Sequence, residues 1–252
     1  MYKIWFYIDT PIGNNEFSYQ ERIDLWSERK IFVPKVIQWT VADLEEGSEI
    51  VFEEVSNGKL ISCTGLKDFI ETKYKWIPTY IFDNHNHALF FRYRHTAQLK
   101  TPLIKAKTKG NLQEPNKPFI LLHIDQHADT KENKNSCKAT QSSPQEVFHF
   151  TNYWCNVGNF LTSAKDAEII DEIIQIRSEY SLHNMKKLDF NNYNYILDID
   201  VDFWVDKSQQ ERKSDFEIIR KIINNVCLIT IATSPYFINQ KKAIQFIQDM
   251  LS

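Results

Sequence analysis

The stretch Pro118-Phe-Ile-Leu-Leu-His-Ile-Asp-Gln-His-Ala-Asp-Thr130 decides the reading of this chain. It opens as an apolar run, Phe119 to Leu122, and closes in a cluster of His and Asp. An apolar run of that length behind a proline predicts a buried strand of a parallel sheet. Period-two alternation puts His123, Asp125 and His127 on one side while the chain stays extended, and Asp129 follows at the turn. Ionisable groups aimed one way at the end of a buried strand are costly unless positive charge joins them, and a divalent metal is the simplest such partner. In open α/β sheets, ligands sit at the carboxyl ends of strands.

Two other stretches share this form. Trp76 to Phe82 predicts a strand that runs into Asp83-Asn-His-Asn-His87, and Tyr193 to Val201 predicts one that carries Asp198, Asp200 and Asp202. Those three aspartates share a face and would repel strongly without a cation; spacing alone leaves open which of them touch metal. Each cluster has a plainer reading: a solvated Asp-x-His-x-Asp turn, an exposed edge strand, a capping or core histidine. Their recurrence after separate buried strands favours a metal site. Carboxylate and imidazole without thiolate suit Mn²⁺, with Zn²⁺ or Fe²⁺ next. So many carboxylates exceed the need of one ion, so the reading is two metals sharing a bridging water.

The rest of the chain predicts a frame for these strand ends. Ser18 to Arg29, Ala88 to Leu99, Ala164 to Tyr180, Glu211 to Asn225 and Gln240 to Leu251 have helical patterning, and Val226 to Ala232 is a last strand. Lys3 to Asp9 and Ile31 to Trp39 are apolar and extended. Glu49 to Val55 and Leu60 to Cys63 flank Asn57-Gly58 as a hairpin. Thr101 to Lys117 and Lys131 to Gln145 read as loops. The expectation is an α/β chain: one domain over residues 1–252, three α/β/α layers, a mainly parallel sheet and a small N-terminal antiparallel insertion.

Composition excludes several classes. The chain has 252 residues, 42% hydrophobic and 25% charged, with net charge −3, so no nucleic-acid partner is implied. Only 6 glycines occur, and neither GxGxxG nor GxxxxGK[ST] is present. The cysteines (Cys63, Cys137, Cys155, Cys227) are widely spaced with no CxxC. With no signal-peptide pattern at Met1, a reduced cytoplasmic chain is expected. No apolar run approaches the ~18 residues that span a bilayer, so no membrane partner is expected.

His-Ile-Asp-Gln-His-Ala-Asp129 resembles the Asp-x-His-x-Asp motif of the arginase–deacetylase superfamily. Leu-Asp-Ile-Asp-Val-Asp202 resembles that superfamily's Ser-x-Asp-x-Asp motif, and Asp83-Asn-His-Asn-His87 stands where it has Gly-Gly-Asp-His. With Val157-Gly-Asn-Phe160 and Thr230-Ile-Ala-Thr-Ser-Pro235, the set is similar to a divergent branch. Some of that branch are peptide arginases, which convert arginine side chains of ribosomally made peptides to ornithine. The resemblance runs from about Thr79 to Pro235.

The resemblance implies that Asp125 and Asp200 bridge two Mn²⁺ ions. Asp129 and either His85 or His87 would complete one ion, His127 and Asp202 the other. Asp129 would also hydrogen-bond the bridging hydroxide, and His123 and His149 are candidates for the proton carrier. Asp198 and Asn159 are candidate substrate-binding residues. The implied reaction hydrolyses a peptidyl arginine to ornithine and urea, with an arginine-containing precursor peptide as partner. The chain departs from the pattern in several places. Gly-Gly is absent, Phe203-Trp204 replaces Asp-Pro, and the loop that clamps the α-groups of a free amino acid is not recognisable, which favours a larger substrate. Two alternatives remain: a metal-dependent amidohydrolase acting on a small guanidino compound or an acylated amine, and a peptide-binding protein without turnover. Oligomeric state is left open.

Overall fold

A computed structural model describes residues 1–9, 19–25, 30–100, 117–135, 137–138 and 142–252. Most of the expected loop 101–117 and part of the loop 131–145 lie outside the described residues.

The centre of the molecule is a seven-stranded sheet. Its strands are β3 (Val36–Gln38), β6 (Phe69–Tyr74), β7 (Ile77–Phe82), β8 (Phe119–Ile124), β9 (Glu172–Ile176), β10 (Asn194–Asp200) and β11 (Val226–Ala232), and their spatial order is β3-β6-β7-β11-β10-β8-β9. Only the β6–β7 pairing is antiparallel; the other neighbours run parallel. Two small antiparallel sheets precede it. One pairs β1 (Phe6–Ile8) with β2 (Ile31–Val33), and the other is the expected hairpin of β4 (Glu46–Ser56) and β5 (Lys59–Leu66). Asn57 and Gly58 both have positive φ, 52° and 71°, as a tight two-residue hairpin turn requires.

Helices cover both faces. On one face lie α2 (Ala88–Lys100), α3 (Pro144–Tyr153) and α4 (Phe160–Asp166); on the other lie α5 (Glu179–Asn184), α6 (Gln209–Ile223) and α7 (Gln240–Met250). A further helix, α1 (Tyr19–Leu25), contacts the hairpin. This is the layered, mainly parallel architecture, with a small N-terminal antiparallel insertion, that the alternation of strands and helices predicts.

Strand alternation sorts the side chains between the two cores. Ile120, Leu122 and Ile124 of β8 and Tyr195, Leu197 and Ile199 of β10 pack with α5, α6 and α7. Phe119, Leu121 and Ile196 pack with α2, α3 and α4. Carried forward, the second set puts His123, Asp125, Asp198 and Asp200 on the α2–α4 side, where the apolar pattern gives way to charge.

Two expectations are corrected. The segment Ala164 to Tyr180 is not one helix: α4 stops at Asp166, Glu168 takes φ 58°, and the isoleucine-rich stretch after it becomes edge strand β9. β-branched residues suit a pleated edge beside β8 better than a helix. Strand β6 was not anticipated. Its turn into β7 places Lys75 and Trp76 at φ 47° and 72°, a left-handed conformation that neither residue type signals.

Candidate metal centre

Chain order sets where the centre lies. The chain leaves β8 toward β9 on one side and leaves β10 toward β11 on the other, so β8 and β10 are neighbours whose connections diverge. That is the switch point at which open α/β sheets bind ligands. The ends of β8 and β10 carry the two Asp/His runs. Next to them, β7 leads into a 3-10 turn at His85–His87, and β11 leads into Thr233 and Ser234.

Two groups form there and share one carboxylate. His85 Nδ1 lies 3.2 Å from Asp125 Oδ2, 3.3 Å from Asp200 Oδ2 and 3.6 Å from Asp129 Oδ2. His127 Nδ1 lies 3.2 Å from both Asp125 Oδ1 and Asp202 Oδ2. Asp125 therefore reaches both groups, one oxygen to each. His85, Asp125, Asp200 and Asp202 are all buried, while the side chain of His127 is 42% exposed, so the centre opens on the His127 side. Phe237, itself partly exposed, stacks against His127 with ring centroids 4.4 Å apart.

Neighbouring segments fix these ligands. Ser234 Oγ donates to Asp200 Oδ2, and the backbone amide of His127 donates to Asp125 Oδ1. Asp129 has φ 50°, a left-handed conformation that Asp tolerates better than most residues. The loop before α4 is stitched to it: Leu161 N donates to Asp129 O (3.3 Å) and Lys131 N to Gly158 O (2.9 Å). Phe160 then lies under His85, with ring centroids 4.6 Å apart.

Charge is concentrated here. Burial opposes charge on His85, but Asp198, Asp125 and Asp200 outweigh it and raise its pKa well above the ordinary imidazole range. The carboxylates of Asp125 and Asp202, each 3.2 Å from its ring nitrogen, push His127 up to about 10. Burial also opposes ionisation of Asp125, yet the imidazoles of His127 and His85 beside it hold its carboxyl below the usual range. Asp202 is pushed up to about 7 by burial and by the charge of Asp200, and burial together with Asp125 raises Asp129. Ring protons thus balance carboxylates that divalent ions would balance better.

The donor set fits such ions. Buried Asp125 Oδ2, both carboxylate oxygens of Asp202, and His85 Nδ1 have no hydrogen-bond partner, and Asp125 Oδ2, Asp202 Oδ2 and His85 Nδ1 face other groups of the cluster. Buried polar atoms without partners are rare and call for an explanation; ligation supplies one. The geometry is that of a two-metal site, with His85, Asp125, Asp129 and Asp200 around one position and Asp125, His127 and Asp202 around the other.

The other candidate residues are placed differently from the expectation. His87 turns away, its Nδ1 2.8 Å from the Tyr2 hydroxyl and its Nε2 3.7 Å from Asp83, and burial lowers its pKa to about 3. His149 lies on the exposed side of α3, stacked on Tyr153, and lines a separate open cavity of about 710 Å³. Asn159 caps the turn before α4, its Oδ1 accepting from Asn156 N at 2.9 Å. Asp198, a candidate for holding a substrate guanidinium, is wholly buried and holds Thr230, His123, His85 and Arg92. Arg92 was not singled out in the sequence. It has no solvent exposure, pairs with Asp198 and lies over the Phe160 ring at 5.2 Å. Its only sequence signal is a cation among Leu89, Phe90, Phe91 and Tyr93.

No described helix is long and apolar enough to cross a membrane. No protein-family model matches the chain, and neither the curated proteins nor the solved structures provide a match.

Proposed function

We propose that the chain is a two-metal hydrolase that cleaves the guanidinium of an arginine side chain within a peptide, leaving ornithine and releasing urea. The observation that carries the hydrolase reading is Asp125, whose two oxygens each meet a separate His/Asp group. Two divalent ions, Mn²⁺ by donor type, would supply Lewis acidity and an activated water at neutral pH.

The chain's own residues then have distinct parts. His85, Asp125, Asp129, Asp200, His127 and Asp202 would hold the ions, and Asp129, with 9% side-chain exposure, would be the carboxylate to take a proton from a nucleophilic water. Phe237 presents a ring beside His127 at the open side, a surface on which a planar guanidinium can stack. That no sequence stretch is recognisable as the clamp for a free amino acid supports a peptide over free arginine. A second reading has its own support: Asp125, His127 and Asp202 alone make an Asp₂His set of the sort that holds one catalytic Zn²⁺, which suits hydrolysis of an acylated amine or a small guanidino compound.

The test is urea release from an arginine-containing peptide, with free arginine in parallel, after Mn²⁺ loading and a count of metals per chain. Urea from the peptide with two ions bound is expected. In Asp125→Asn, both the second ion and urea release should be lost. A variant that retained both would remove the basis of the proposal, and a single tightly held Zn²⁺ would favour the second reading.

A further inference from the structure

Asp198 sits in the middle of the site's inner wall and gathers donors from four elements. Its Oδ1 accepts from Thr230 Oγ1 at 2.6 Å and pairs with the Arg92 guanidinium. Its Oδ2 faces His123 Nδ1 at 2.7 Å and His85 Nε2 at 3.0 Å. An ionised carboxylate offers only lone pairs, so both ring nitrogens that face it carry hydrogen.

The opposite nitrogen of each ring points at one atom. His85 Nδ1 lies 3.2 Å and His123 Nε2 3.4 Å from Asp125 Oδ2. All three of these atoms are buried and have no hydrogen-bond partner. An imidazole that ligates a metal is neutral; with His85 Nε2 and His123 Nδ1 donating to Asp198, the opposite ring nitrogens and Asp125 Oδ2 would then turn three lone pairs toward one point. Lone pairs that converge away from water repel unless a cation lies among them.

We propose that His123 is a nitrogen ligand of the ion held by His85 and Asp125, and that Asp198 is the positioning carboxylate that turns both imidazoles toward it. This rests on the two-metal reading above and assigns to the inner ion a second imidazole. A carboxylate that accepts from the far side of a ligating imidazole fixes its tautomer and ring orientation. Here one carboxylate does so for two rings. Arg92 and Thr230 hold its other oxygen, so the guanidinium offsets the charge of Asp198 and leaves the ions to the remaining carboxylates. Burial agrees with a ligand and not with a proton carrier: His123 has no solvent exposure, and its ring nitrogens face Asp198 and Asp125.

The experiment compares the wild-type chain with His123→Gln and Asp198→Asn. Metals per chain are counted by mass spectrometry, affinity is read by competition with a chelating dye, and coordinated imidazoles are counted by X-ray absorption on the Zn²⁺-loaded chain. In His123→Gln the affinity for one ion should fall by more than the about 10–100-fold typical of an outer-shell change, and the imidazole signal should drop by one ligand. In Asp198→Asn the imidazole count should stay and affinity should fall within that about 10–100-fold range. If His123→Gln does not fold, the wild-type imidazole count decides: His85, His123 and His127 support the proposal, and a count matching only His85 and His127 overturns it. Unchanged affinity and imidazole count in a folded His123→Gln chain overturn it while the two-metal reading stands. A wild-type chain that takes up no metal overturns both.

Discussion

His85 and His87 show what a single residue's surroundings decide. They lie two apart in a 3-10 turn, where each residue advances the chain by about 120°. They therefore face different ways, His85 into the carboxylates and His87 toward Tyr2 and Asp83. Sequence spacing offered both as ligands because the turn type was not visible in it. Asp198 differs for another reason. Its three-aspartate strand was legible, but Arg92 approaches from a helix more than a hundred residues earlier, and only folding brings them together.

A half-buried histidine outside the metal centre gives a pH prediction. Burial lowers His95, on α2, to about 4, against about 6.5 for a free imidazole. Between those values the unfolded chain takes up a proton that the native chain does not, so stability is full above pH 6.5 and falls as pH drops toward 4. Urea denaturation at pH 7 and pH 4.5 should show a loss on the order of 1–3 kcal/mol from this site. His95→Gln should remove that share of the pH dependence. Parallel pH profiles for the two proteins would contradict the assignment.

At the scale of elements, strands with clear apolar runs and polar ends were legible: β7, β8, β10 and β11 lie where the sequence puts them. The Asn57-Gly58 hairpin was legible too, because its residues match its backbone. The Lys75-Trp76 hairpin was not, because nothing in those side chains announces positive φ. The stretch Ala164 to Tyr180 misled because its acid-rich pattern suits a helix as well as an edge strand, and pairing with β8 settled the matter.

Strand β5 yields a test of how the insertion supports the centre. A β-carbon at Gly65 would overlap Val51 and come within 2.7 Å of Asp83 Oδ2. Asp83 begins the turn that carries His85, and burial pushes its carboxyl up to about 8. Gly65→Ala should destabilise the chain by ~1–3 kcal/mol, as overpacking does. Adding Val51→Ala should restore part of that loss, because the two sites share one contact. A denaturation midpoint for Gly65→Ala equal to that of wild type would show that the packing there is looser than it looks.

For the whole molecule, the metal centre links three strand ends and the turn after β7. Ions that bind the folded chain and not the unfolded one stabilise it by mass action. Mn²⁺ at a hundred times its dissociation constant should add about 2.7 kcal/mol per site. For a chain of this size that is roughly 5–11 °C in Tm, at about 2–4 °C per kcal/mol. Calorimetry with and without a chelator checks this. A Tm indifferent to Mn²⁺ and chelator alike would mean that the carboxylates are balanced by their own histidine protons.

The sequence by itself determined the layered α/β plan, the buried strands and the chemical character of their ends. Those properties follow from local rules: apolar runs bury, alternation sorts faces, and turn residues mark reversals. Only the tertiary structure decided that β8 and β10 are neighbours at the divergence of the chain, that Asp125 serves two groups, that His85 and not His87 faces them, and that Arg92 and Asp198 meet beneath. Each of these depends on distant segments converging in a low-dielectric interior, where a charge must find its partner, and no local pattern records which partner that is.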